Sequence, residues 1–193
     1  MKLFLGVLGA LLALSSAVNA ADLGKGTYPE EGGLKDFPET AMWTGVTVGL
    51  GIGGAFPSFD ASDAELARIG LDKGSVFGQA EAVASWQIPR TAVVLSGYGD
   101  LTYSDVYKSV GGGVGGRLGY AIGNVQPYAL AGAEFARGNS GASFGGGVVF
   151  RATPKINLNV EWKHTEWGSF SYSGVSVDTA TDTALIGVSY KIN

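Results

Sequence analysis

The chain has no cysteine among its 193 residues. Disulfide frameworks and thiolate chemistry are excluded with it. Charge is scarce as well: 16% of residues are charged, the net charge is −4, and no run of Lys and Arg occurs. Nucleic acid is therefore not an expected partner. Long apolar runs are nearly missing. The one present, Leu3 to Leu14, is 12 residues long, against about 20 for a helix that crosses a bilayer. It follows Lys2 and leads to Val18-Asn19-Ala20, a small-x-small end. That is the pattern of a secretory signal peptide, with cleavage expected after Ala20. Histidine is represented only by His164.

Glycine is in excess, 32 residues of 193, where average usage is about 7%. The glycines lie inside segments that alternate apolar and polar residues. Ordinary strands are weakened by glycine. Small barrels admit it, because a narrow curved lumen needs small side chains. Two glycine clusters, Gly49-x-Gly51-x-Gly53-Gly54 and Gly111-Gly112-Gly113-x-Gly115-Gly116, superficially look like phosphate loops. Neither is followed by a lysine or a helical pattern, so lumen lining is the expected role.

The alternation is clearest in Ala142–Thr165. Ile156, Leu158, Val160 and Trp162 are apolar, whereas Asn157, Asn159, Glu161 and Lys163 are polar. Before them Phe144, Gly146, Val148 and Phe150 alternate with Gly145, Gly147, Val149 and Arg151. A period of two over both halves, with Thr153-Pro154-Lys155 between, predicts a β-hairpin with two unlike faces. In a membrane barrel the apolar face meets lipid and the small or charged face fills the lumen.

Taken in order, the chain divides into a signal peptide (1–20), a flexible periplasmic lead-in (21–42) and a barrel (43–193). Eight alternating segments are expected: 43–56, 76–86, 91–103, 107–121, 125–136, the two halves of the hairpin, and 181–192. Most reach 11 residues, the length of a tilted membrane strand, where soluble strands average about 5 to 6. Connections after segments two, four and six are short. Those after segments one (57–75) and seven (168–180) are long. Short turns at one rim and longer loops at the other describe an outer-membrane barrel, and an even strand count leaves no open edge. The predicted fold is all-β, an eight-stranded antiparallel up-and-down transmembrane barrel. Aromatics gather at segment ends, predicting two interfacial girdles. Trp43, Trp86, Tyr120 and Tyr190 are expected at the periplasmic rim, and Phe56, Tyr103, Tyr107, Phe135, Phe144 and Trp167 at the outer one.

AADL after the leader, GGLKD, Trp43-Thr44-Gly45, Gly145-x-Gly147-Val148-x-Phe150, Thr153-Pro154 and Leu158-x-Val160-Glu161-Trp162-Lys163 together resemble the small outer-membrane β-barrel proteins of alphaproteobacteria, within the OmpA-like eight-stranded superfamily. The resemblance covers residues 21 to 193. It implies location in the outer membrane of a Gram-negative cell, with lipid and lipopolysaccharide as surroundings. It also implies insertion by the barrel-assembly machinery, whose terminal signal Gly187-x-x-Tyr190-x-Ile192 resembles. Its motifs specify a fold rather than an activity.

The candidate functional residues are the charges of lumen parity: Glu81, Asp100, Arg117, Glu134, Arg151, Glu161 and Lys163. An eight-stranded interior is only wide enough for side chains to fill it, so these charges are expected to pair as a plug. No catalytic residue, metal ligand or cofactor is expected. A narrow pore for small solutes is the alternative. Further ones are an adhesin using the long loops and a lipid A-modifying enzyme. The last rests on His164, which has lipid-facing parity with Glu166 two residues on. Lipid A deacylase barrels place a His and a Ser outward; here Glu166 stands in place of the Ser. The first long loop carries a capping box, Ser62-x-x-Glu65, and the acidic residues Asp60, Asp63 and Asp72, expected to be solvated.

Overall fold

A computed structural model describes residues 42–60, 74–104, 109–136, 139–172 and 175–192. Eight strands form one closed antiparallel barrel in chain order: β1 (Gly45–Asp60), β2 (Ser75–Gln87), β3 (Val93–Ser104), β4 (Ser109–Tyr120), β5 (Val125–Ala136), β6 (Asn139–Arg151), β7 (Ile156–Tyr172) and β8 (Val175–Lys191). β8 closes on β1, Thr47 pairing with Lys191 and Asp60 with Asp178. Every strand thus has two neighbours, and no edge is left to aggregate.

The ladder register sets the barrel's dimensions. One row of paired residues starts at Phe56 and passes through Asp182, His164, Phe144, Ala131, Gly116, Gly97 and Ala84. It returns to β1 at Val46, ten residues from its start. A ten-residue stagger over eight strands corresponds to a tilt of about 40°, so each residue climbs about 2.5 Å along the barrel axis. On that scale the outward rings of Trp86, Tyr120, Phe150 and Tyr190 fall within about 4 Å of one another in height. Phe56, Tyr103 and Phe135 form a second band about 20 to 25 Å above them. Between the bands the outward side chains are apolar and exposed, among them Leu50 (68% exposed), Ile52, Leu118, Val160 and Ile186. The spacing matches the roughly 25 Å apolar band of a transmembrane barrel. A patch of this extent would not stay monomeric in water.

Three tight connections define one rim. In Ile88-Pro89-Arg90-Thr91 the Thr91 N–H donates to the Ile88 carbonyl (3.1 Å), and Arg90 has φ 61°. Proline second and a left-handed residue third is type II turn geometry, which glycine usually occupies. Gly123 (φ 57°) turns β4 into β5. Between β6 and β7 the Thr153 hydroxyl accepts the Ile156 N–H at 2.9 Å.

The sequence reading is corrected at four places. Residues 168–180 do not form a long loop: β7 runs to Tyr172 and β8 starts at Val175. The two strands continue as a paired ribbon, with a register irregularity between Trp167 and Phe170. The period-two signal fades there, while Ser, Thr, Tyr and Val retain their strand preference. Trp43 is not a girdle residue. It shares lumen parity with Gly45, is 8% exposed, and packs with Val94 and Ala121 inside the short-turn rim. Trp167 lies five residues beyond the outward Trp162 and therefore has the opposite, lumen parity. Its indole N–H donates to the Thr181 hydroxyl at 3.1 Å. Phe144 faces outward but sits about 6 Å below the outer band. Tyr107 and the capping box Ser62 to Glu65, with Asp63 and Asp72, lie outside the described residues, as does the side chain of Asp60.

Candidate functional site

Alternation sends six of the seven expected charges to the middle of the lumen, where they form two decks. In the lower deck Arg117 on β4 reaches two carboxylates on distant strands. Its Nη1 donates to Glu81 Oε1 on β2 at 3.1 Å, and its Nη2 bonds Glu81 Oε2. The same Nη2 donates to Glu161 Oε2 on β7 at 2.6 Å. The Tyr128 hydroxyl donates to Glu161 Oε2 at 2.7 Å. The rings of Tyr98 and Tyr128 each have their centroid 4.8 Å from the guanidinium carbon. The guanidinium therefore exchanges water for two carboxylates and two π-faces.

In the upper deck Lys163 Nζ donates to Glu134 Oε1 at 2.6 Å and lies 3.6 Å from Asp100 Oδ2. Ser143 donates to Glu134 Oε1 at 3.3 Å. Asp100 is 1% exposed, and its oxygens accept no hydrogen bond from any described group. Its attraction to Lys163 is thus carried by charge alone.

Glycines opposite these groups make the room. A Cβ on Gly113 would lie 2.6 Å from both carboxylate oxygens of Glu134. One on Gly132 would lie 2.5 Å from the Tyr98 hydroxyl, and one on Gly147 2.6 Å from that of Tyr128. These glycines are therefore the complement of two tyrosines and a buried glutamate.

Arg151 stands apart from both decks. It closes β6 at the short-turn rim, donating Nη2 to the Pro154 carbonyl at 3.2 Å and lying over the Trp43 ring at 5.9 Å. Outside the barrel, His164 Nδ1 is 2.9 Å from Asp182 Oδ1, and its ring contacts Phe144 at 5.0 Å and Trp162 at 6.4 Å. Sequence reasoning missed Asp182 as a partner. Its parity with Ala184 and Ile186 makes it outward, but only the β7–β8 register sets it beside His164. It also missed Tyr98, Tyr128 and Ser143 as members of the lumen network. Their inward parity was the available signal.

No family model matches the chain. It is similar to the 25 kDa outer-membrane immunogenic protein of Brucella abortus, 26% identical over 96% of this chain and 95% of that one. The Brucella canis protein of the same name is similar to the same degree. The fold is similar to the crystal structure of Neisserial surface protein A, with a TM-score of 0.50 and 14% identity, covering 77% of this chain and 98% of that one. The closed, belted eight-stranded barrel and these similarities point to one class. This is a small outer-membrane β-barrel. The outer-membrane barrel carries its apolar belt against lipid, and its short-turn rim is the periplasmic one by the rule for this class. The long β7–β8 ribbon then stands on the outer face. The relatives' names speak of an outer-membrane protein and a surface protein and state no chemistry.

Proposed function

We propose that the protein is a structural, surface-exposed barrel whose lumen is closed by its own side chains. The observation that carries this reading is the Arg117 crosslink. It ties β4 to β2 and to β7 across the interior, so a solute path along the axis would have to break buried ion pairs. The plug holds the wall in shape, and the outward ribbon supplies what the cell surface presents. The word "immunogenic" in the name of the Brucella relative supports surface exposure here. The mature chain begins at Ala21 after removal of the leader. The assembly machinery reads the terminal strand through Tyr190 and Ile192, and lipopolysaccharide surrounds the outer aromatic band. Catalysis forms no part of this reading.

Planar-bilayer recording of the purified protein tests it. The expected result is an absence of wide, steady single-channel currents. Sustained unitary conductance from the folded wild-type barrel would support the narrow-pore alternative instead.

A further inference from the structure

We propose that the periplasmic mouth of the barrel is a binding site for a small oxyanion, the head of a carboxylate or a phosphate. Arg151 ends β6 and Lys191 ends β8, and alternation turns both inward at the same rim. They line one small cavity of about 50 Å³ together with Trp43, Gln126, Asn157 and Asn159. At its inner end lies Glu81, which is committed to Arg117.

The two cations differ from the others in the lumen. Arg117 and Lys163 each face two carboxylates. Arg151 and Lys191 form no ion pair among the described residues. Lys191 Nζ donates to the Met42 carbonyl at 3.3 Å, and Arg151 donates one bond to Pro154. Among the described residues each keeps most of its donors unused, since a guanidinium carries five N–H groups and an ammonium three. A second sign points the same way. Trp43 is almost fully buried, yet its indole nitrogen has no acceptor among the described residues. A buried donor without an acceptor is unfavourable, and two like charges beside one cavity repel. One acceptor-only anion relieves both. The arginine fork matches the two oxygens of a carboxylate or two of a phosphate. The cavity takes only the head of such a molecule, and the rest would trail into the periplasm.

The test uses the full mature chain, refolded in detergent and labelled with nitrogen-15 at tryptophan. The chain has 4 tryptophans, and the Trp43 indole signal is identified with Trp43→Phe. Sodium acetate and sodium phosphate are titrated against sodium chloride at matched ionic strength. The expected result is saturable movement of the Trp43 signal with one or both oxyanions, the other indoles staying still. The Arg151→Gln/Lys191→Gln variant, checked for folding by heat-modifiable gel mobility, should bind at least about tenfold more weakly. Arg151→Lys, which keeps the charge, should bind within a few fold of wild type. A Trp43 signal that follows chloride equally, or does not saturate, overturns the proposal. So does a wild-type response in the doubly substituted barrel.

Discussion

Replacing Arg117 with alanine probes the plug most directly. Arg117 bonds two carboxylates, of which Glu161 is 3% exposed, and two tyrosine rings flank it. Arg117→Ala leaves Glu81 and Glu161 across the lumen from each other with no cation between them. Breaking a buried ion pair by removing one partner costs about 3–5 kcal/mol. The lost cation–π contacts add about 1 kcal/mol or more. A total of about 5 kcal/mol corresponds to a several-thousandfold change in the folding equilibrium. The assay is urea unfolding from lipid vesicles, followed by tryptophan fluorescence and heat-modifiable mobility. A charge-balanced variant, Glu81→Gln/Arg117→Met/Glu161→Gln, separates stranded charge from lost volume. It should recover most of the loss, because a buried ion pair contributes little net stability against neutral groups of similar size. Bilayer conductance should change little in either variant, since the Lys163, Glu134 and Asp100 cluster still spans the interior. An Arg117→Ala cost below about 1 kcal/mol would refute the reasoning. So would a neutralised variant as unstable as the single one, since that would leave the burden on packing rather than on charge.

Two further outcomes test the glycines and the belt. Gly132→Ala places a methyl against the Tyr98 hydroxyl and the Val114 carbonyl, at 2.5 and 2.6 Å. It should destabilise by about 1–3 kcal/mol in the same urea assay. Gly78, where an added Cβ meets nothing within 4 Å, should accept alanine within about 0.5 kcal/mol. Leu50→Arg puts a charge near the middle of the lipid belt and should cost about 2–4 kcal/mol in vesicle refolding, while Val76→Arg, near the outer band, should cost about 0–1. Equal costs at the two depths would contradict the belt's assigned height.

The barrel was legible because alternation survives wherever one face meets lipid and the other meets lumen. β5 has the expected bounds, Val125–Ala136, for that reason. In the β7–β8 ribbon the sequence from Gly168 to Ala180 is rich in Gly, Ser and Thr, so the strands looked like a loop. The girdle reading failed at Trp43 and Trp167 because it weighed residue type and position along the segment above parity. Both tryptophans lie on the inward register, so neither ring faces lipid. Membership of the charge decks was legible for the same reason as the strands. The pairing inside the decks was not. It depends on the ten-residue stagger, which brings Arg117 on β4 level with Glu81 on β2 and Glu161 on β7. No local spacing encodes that stagger.

The stagger also explains how so few large side chains close the lumen. At a tilt of about 40° an eight-stranded wall encloses a radius near 8 Å measured to the backbone. Side chains projecting from opposite walls meet near the axis only if the groups beside them are small. Tyr98 on β3 lies over Gly115 and Gly132, Tyr128 on β5 over Gly147, and Glu134 over Gly113. Each large group reaches the axis over a neighbouring strand's glycine, and the guanidinium of Arg117 ends between the two rings. Enlarging any one of these glycines would push a tyrosine or a glutamate off the axis and disturb the ion pairs as well. Glycine content and charge pairing in this lumen are therefore one packing solution, and a variant that breaks either should loosen both.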